Sequence, residues 1–167
     1  DPVNQVLYIG THVDGVFRRQ LQVDAGGKPT SPAVTHRIAL SRGWNMISSY
    51  VAPRDSTLDS VFVRLRTKPT MVKNGSGQIY WPKMGVNSIG KWNFRSGYQL
   101  YMEAPDTLLI TGDEVDPLNT SFALLQGWSM MSYLRNSPMD VDSAFATLKW
   151  ANILAKDNTG KLYWPSW

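Results

Sequence analysis

Leu40-Ser-Arg-Gly-Trp-Asn-Met-Ile-Ser48 returns later in the chain as Leu124-Leu-Gln-Gly-Trp-Ser-Met-Met-Ser132, with Leu, Gly, Trp, Met and Ser in the same places. The agreement continues beyond a single-residue gap. Leu58-Asp-Ser-Val-Phe-Val-Arg-Leu65 answers to Val141-Asp-Ser-Ala-Phe-Ala-Thr-Leu148. Lys73-Asn-Gly-Ser-Gly-Gln-Ile-Tyr-Trp-Pro82 answers to Lys156-Asp-Asn-Thr-Gly-Lys-Leu-Tyr-Trp-Pro165. Ordered matches over so long a period mark a tandem module, here called copy one and copy two.

Working outward, residues 33–117 make repeat module 1 and residues 118–167 a partial module 2. Residues 1–32 lie outside the repeat, as an N-terminal β-hairpin extension and linker. In that extension Val6–Ile9 reads as a strand, Asp14-Gly15 as a hairpin turn, and Val16–Val23 as an alternating strand. Inside module 1, Arg37–Leu40 and Trp44–Val51 read as strands around Arg42-Gly43. Leu58, Val61, Phe62 and Leu65 share one face of a helix of two to three turns, and copy two keeps that face with Val141, Ala144, Phe145 and Leu148. Thr70–Lys73 and Gln78–Pro82 read as strands about a tight turn, and Lys91–Phe94 as a short strand. Gly97–Glu103 alternates strongly, and Thr107–Thr111 is expected to pair back on it. The expected fold class is α+β, strand-dominated: tandem small β-rich modules, each with one short amphipathic helix.

Module 2 stops before any counterpart of residues 85–111. A half module leaves sheet edges and one core face open. The N-terminal hairpin, Val6–Val23, is expected to fill that gap, the rivals being truncation, with the missing strands simply absent, and strand addition from a neighbouring chain. The chain starts at Asp1 rather than Met, which reads as a removed leader or a fragment.

Of the 167 residues, 43% are hydrophobic and 18% charged, a composition able to build one or two small cores. Cysteine is absent, so no disulfide holds the fold and no thiolate supplies a nucleophile or metal ligand. No apolar run reaches the roughly 20 residues of a membrane helix. The net charge of +4 is spread over the chain and does not interleave with aromatics, which argues against nucleic acid as partner.

Catalytic patterns are missing. His12 and His36, the two histidines, fall in no zinc motif, and no Gly-x-Ser-x-Gly elbow occurs. Gly75-Ser-Gly77 lacks the helix and the Lys of a phosphate loop and reads as a hairpin turn. Asp113, Glu114 and Asp116 read as a solvated acidic turn, with a weak calcium site as the rival. No catalytic residue, metal ligand or cofactor is expected. Aromatic residues are the remaining candidates for binding: Tyr80, Trp81 and Trp92 in copy one, and Tyr163, Trp164 and Trp167 in copy two. Adjacent strand residues face opposite ways, so one of each Tyr-Trp pair points outward. Flat rings beside polar neighbours suit sugars or a partner surface. The competing expectation is that Trp44, Trp128, Trp81 and Trp164 are core.

The motif set of Gly43-Trp-Asn-Met-Ile-Ser48, Leu58–Leu65, Tyr80-Trp-Pro82 and Gly97-Tyr-Gln-Leu-Tyr101 resembles a repeat of secreted and cell-surface proteins of bacteria and archaea. The wording of residues 74–82 and 112–117 is most similar to modules in large exported proteins of the Bacteroidetes, often substrates of type IX secretion. That resemblance implies a secreted or cell-surface setting and a spacer, adhesion or binding role. It carries over no catalytic residue. The expectation is therefore a non-enzymatic structural or adhesive module of an extracellular assembly. Its partners would be other protein chains, its own copies included. A carbohydrate-binding module, with polysaccharide as ligand, is the alternative.

Overall fold

A computed structural model describes residues 6–11, 15–20, 22–23, 29–30, 32–124, 126–151 and 154–164. Two compact units divide the chain at Ala33. In the first, β1 (Val6–Thr11) and β2 (Gly15–Gln20) form an antiparallel hairpin, and β3 (Gln22–Val23) pairs with β4 (Pro29–Thr30). Asp14 of the expected turn lies outside the described residues.

The second unit is strand-dominated, with only short helices, as the α+β expectation has it. Copy one supplies β5 (Val34–Leu40), β6 (Gly43–Ile47), β7 (Val51–Pro53), α1 (Leu58–Val61), β8 (Met71–Asn74), β9 (Ile79–Trp81), β10 (Val86–Asn87), β11 (Tyr98–Met102) and β12 (Asp106–Glu114). Five strands join in the order β10-β9-β8-β11-β6, and three in the order β5-β12-β7. Both sheets feed one core: Leu40, Val51, Leu108 and Ile110 from the smaller, Ile47, Val72, Tyr80, Leu100 and Met102 from the larger.

Two expected hairpins are sheet changes instead. β5 and β6 are consecutive but belong to different sheets. Asn45 holds that corner: its Oδ1 accepts from Ser41 N at 2.8 Å, and its Nδ2 donates to Ser41 O at 2.8 Å and Gly43 O at 3.0 Å. Likewise β12 does not pair back on β11. It registers with β5, Leu108 opposite Ile38, and then with β7, Gly112 opposite Pro53. Gly112 is required there, because a Cβ would stand 2.0 Å from Ala52 O.

The helix is shorter than its apolar period suggests. After Val61 the bonding tightens, with Leu65 N donating to Phe62 O at 3.2 Å. Its face is nonetheless as read: Leu58, Val61, Phe62 and Leu65 are all buried. Lys91–Phe94 is no strand; Lys91 makes a single bridge to Thr57, and Trp92 turns into the core.

Within residues 118–164, copy two repeats local elements of copy one. It has α2 (Val141–Ala144), a 3-10 turn over Ala146–Ala151, and the hairpin β13 (Ala155–Lys156) and β14 (Leu162–Tyr163). The Gly127–Met131 segment forms no strand ladder; its Met131 makes one isolated bridge, to Ser96.

Candidate functional site

Side-chain placement separates the aromatic candidates. Tyr80 points inward from β9, is buried, stacks on Phe62 at 5.9 Å and donates to Asp59 Oδ1 at 2.7 Å. Trp92 is only 4% exposed, stacked on Tyr98 at 4.3 Å. Its indole Nε1 is buried with no hydrogen-bond partner. These two leave the candidate set, since packed neighbours cover their faces. Trp81 is half-buried and Tyr163 half-buried. Trp164 is 70% exposed, and Trp167 lies outside the described residues.

The core expectation for the repeated tryptophans is corrected. Trp44 is 47% exposed and Trp128 72% exposed. The parity of β6 explains it: Asn45 and Ile47 face inward, so Trp44 and Met46 face out. Trp44 meets Tyr101 edge-on, at 5.5 Å and 75°, and Lys73 Nζ stands 4.8 Å over its ring. This outer face of the sheet was missed in the sequence, because apolar character alone ranks Trp above Asn for the interior. Trp164 is likewise exposed rather than core.

Among the described residues, His36 and Ser49 form a His–Ser pair whose hydroxyl is tied to the backbone. His36 Nδ1 lies 3.2 Å from Ser49 Oγ, but Ser49 is fully buried and its Oγ accepts from Val51 N at 3.0 Å. Burial holds the His36 pKa below its ordinary 6.5. The acidic residues also have separate partners: Asp113 pairs with Arg54 at 2.9 Å, Glu114 accepts from Asn136, and Asp116 accepts from Leu118 N. Asp113 and Glu114 belong to β12 rather than to one loop with Asp116. An open groove of about 290 Å³ lies between Thr67–Thr70 and Pro82-Lys83. That is small for a ligand pocket, roughly 300–1,000 Å³. Its Glu103 already accepts from Thr70 and Lys83.

The most developed feature is the seam between the copies. Residues 130–133 cross one end of the five-stranded sheet. Gly97 N donates to Met130 O at 2.9 Å, and Ser132 N to Arg95 O at 3.3 Å. Tyr133 N donates to Ser48 Oγ at 3.1 Å, and Ser132 Oγ to Ser49 O at 3.3 Å. Glycine makes the approach possible. A Cβ on Gly97 would stand 2.9 Å from Met131 O, and one on Gly75 3.1 Å from Met130 Cβ. Leu134 and Ser132 are buried there.

Compared with known proteins, the chain matches no family model, no curated protein and no solved structure.

Proposed function

We propose that this chain is a non-enzymatic structural and adhesive module of an exported, cell-surface or extracellular assembly. The observation that carries the reading is the seam: one repeat is bonded to the next by backbone groups across glycines that leave no room for a side chain. Such a joint fixes the angle between repeats, as a spacer requires. The resemblance to exported bacterial repeats supports the setting. Cysteine is absent, and the Ser49 hydroxyl beside His36 accepts a backbone bond from Val51 N.

A second reading, carbohydrate binding, is favoured by the exposure of Trp44, Trp128 and Trp164. The edge-on contact of Trp44 with Tyr101 weighs against it, since sugar platforms present coplanar rings. The test is retention of the purified chain on a panel of polysaccharides, together with its native mass. Assembly without retention supports the proposal. Retention abolished by Trp164→Ala or Trp44→Ala, with folding intact, overturns it in favour of the sugar reading.

A further inference from the structure

Strand parity gives the five-stranded sheet a second face. Tyr98, Leu100 and Met102 of β11 are buried, as are Val72 of β8 and Tyr80 of β9, so the residues between them point away from the core. Register sorts these outward residues into two rows. In the first, Trp44 lies opposite Tyr101, Tyr101 opposite Met71, and Trp81 opposite Val86. The β8–β9 register, carried one residue on, sets Met71 beside Trp81. In the second row Met46, Gln99, Lys73 and Ile79 follow one another in the same way. Trp44, Met46 and Val86 are exposed, and the other six partly so.

The next row along is already covered. Gly97 precedes Tyr98 and so shares the outward parity, opposite Gly75. A Cβ on Gly97 would stand 2.9 Å from Met130 Cγ, and one on Gly75 3.1 Å from Met130 Cβ. The side chain over this end of the face thus comes from a copy of the repeat itself, and the two open rows continue from that contact.

Composition favours protein over sugar as the cover for the rest. Seven of the nine side chains are apolar or aromatic, two of them Met, and Lys73 is the single charge. Aromatic residues and Met are enriched at the centres of protein interfaces, and charge is depleted there. The Trp44 ring on which a sugar would stack has Lys73 Nζ 4.8 Å above it and Tyr101 against it edge-on. Two such faces also stack without opposing like charges. A half-turn about an axis along the rows lays each first row on the other copy's second row. Lys73 then meets the other copy's Met71, between the rings of Tyr101 and Trp81. The strip spans five strands and two rows, so with its side chains it covers roughly 350 Å². That is under half of the ~800 Å² per partner of a stable complex.

We propose that this outer face is a contact surface for a second copy of the chain, packed sheet on sheet. This rests on the reading of the chain as an assembly module. One contact of that size holds weakly, and a run of modules multiplies it.

The test follows the native mass of the full chain by sedimentation, from about 10 µM to about 1 mM. A dimer is expected in the upper part of that range. Trp44→Ser and Met46→Asp should each weaken it about tenfold or more, with hydrogen exchange at Val72 and Leu100 as slow as in the parent. Trp164→Ser removes a more exposed ring from copy two and should leave the dimer unchanged. A chain that stays monomeric throughout overturns the proposal. So does a dimer that ignores both variants, or one that Trp164→Ser weakens as much; either leaves the assembly reading standing. A monomer retained on a polysaccharide through Trp44 overturns both, and gives the face to a sugar. A dimer broken by Trp44→Ser, in a chain that also binds a polysaccharide through Trp164, sinks the assembly reading alone, so the two failures are distinguishable.

Discussion

Phe62 and Phe145 hold the same place in their repeats, each stacked 5.9 Å from a tyrosine. Each of those tyrosines donates to an aspartate, Tyr80 to Asp59 at 2.7 Å and Tyr163 to Asp142 at 2.6 Å. The turns match as well: Asn74 Oδ1 accepts from Ser76 N and Gln78 N, and Asp157 Oδ1 from Thr159 N and Lys161 N. Gly77 and Gly160 both take positive φ, 77° and 89°. Yet Phe62 is fully buried and Phe145 is not. Local bonds therefore form from local sequence in both copies. Beyond the local hairpins, the ladders of β5, β6 and β7 form where residues 97–114 supply the partner strands. The strand of copy one that needs β11, Gly43–Ile47, has no ladder in copy two.

The largest way to break this comparison is truncation of the paired phenylalanines. Phe62→Ala should cost about 3–5 kcal/mol, as for a fully buried ring. Phe145→Ala should cost roughly 1 kcal/mol, because little of its environment is enclosed. Denaturant unfolding of both variants measures the difference, and equal losses would mean the copies are equally packed. Gly97→Val addresses the seam. Its branched side chain meets Met131 O, so loss of about 1–3 kcal/mol is expected. Hydrogen exchange should quicken at residues 130–134 before it quickens in β8 and β11. Quickening everywhere at once would show that the copies unfold as one.

The tyrosines sharpen the comparison in a different way. Burial first, then the Asp59 bond, pushes the Tyr80 phenol up to about 12. For Tyr163 the Asp142 bond comes first, with the same result of about 12. Asp142→Asn should therefore bring Tyr163 back toward 10.0, while Asp59→Asn leaves Tyr80 raised; phenolate absorbance reads both. A phenol whose folded pKa exceeds its unfolded one adds stability below pH 10.0 that is lost as pH rises toward 12. The smallest effect belongs to copy one alone. His36 is held neutral by burial, so the unfolded chain takes up a proton first as pH falls below 6.5. Stability should fall from there down to the lowered folded value, and His36→Gln should flatten that segment of the curve. The depressed carboxylates such as Asp55 and Asp106 act lower, below their ordinary 3.8.

The repeat and the Leu58–Leu65 face were legible because period and burial coincide within a few residues. The sheet changes at Ser41–Gly43 and at Ala104–Asp106 were not. A turn sequence says that the chain reverses; which strand it then meets is decided by distant register, here Asp106 opposite Leu40. Trp44 was misread for a related reason. Inward and outward positions on a strand differ by one residue, and the corner bonds of Asn45 claim the inside. The seam had a faint signal in Gly75 and Gly97, but Gly75 sits in an Asn-Gly-Ser-Gly turn where glycine already had an explanation.

The contact of Gly97 with Met130 joins two different patches, one from each repeat. A contact of that kind has no twofold axis. Repeated between complete modules, it would be a screw operation, with one rise and one rotation per module. A run of such modules would have a polarity and a pitch, and its length would count its repeats. Changing the step at glycine 97 would then alter the handedness or reach of the whole run, far from any single residue it touches.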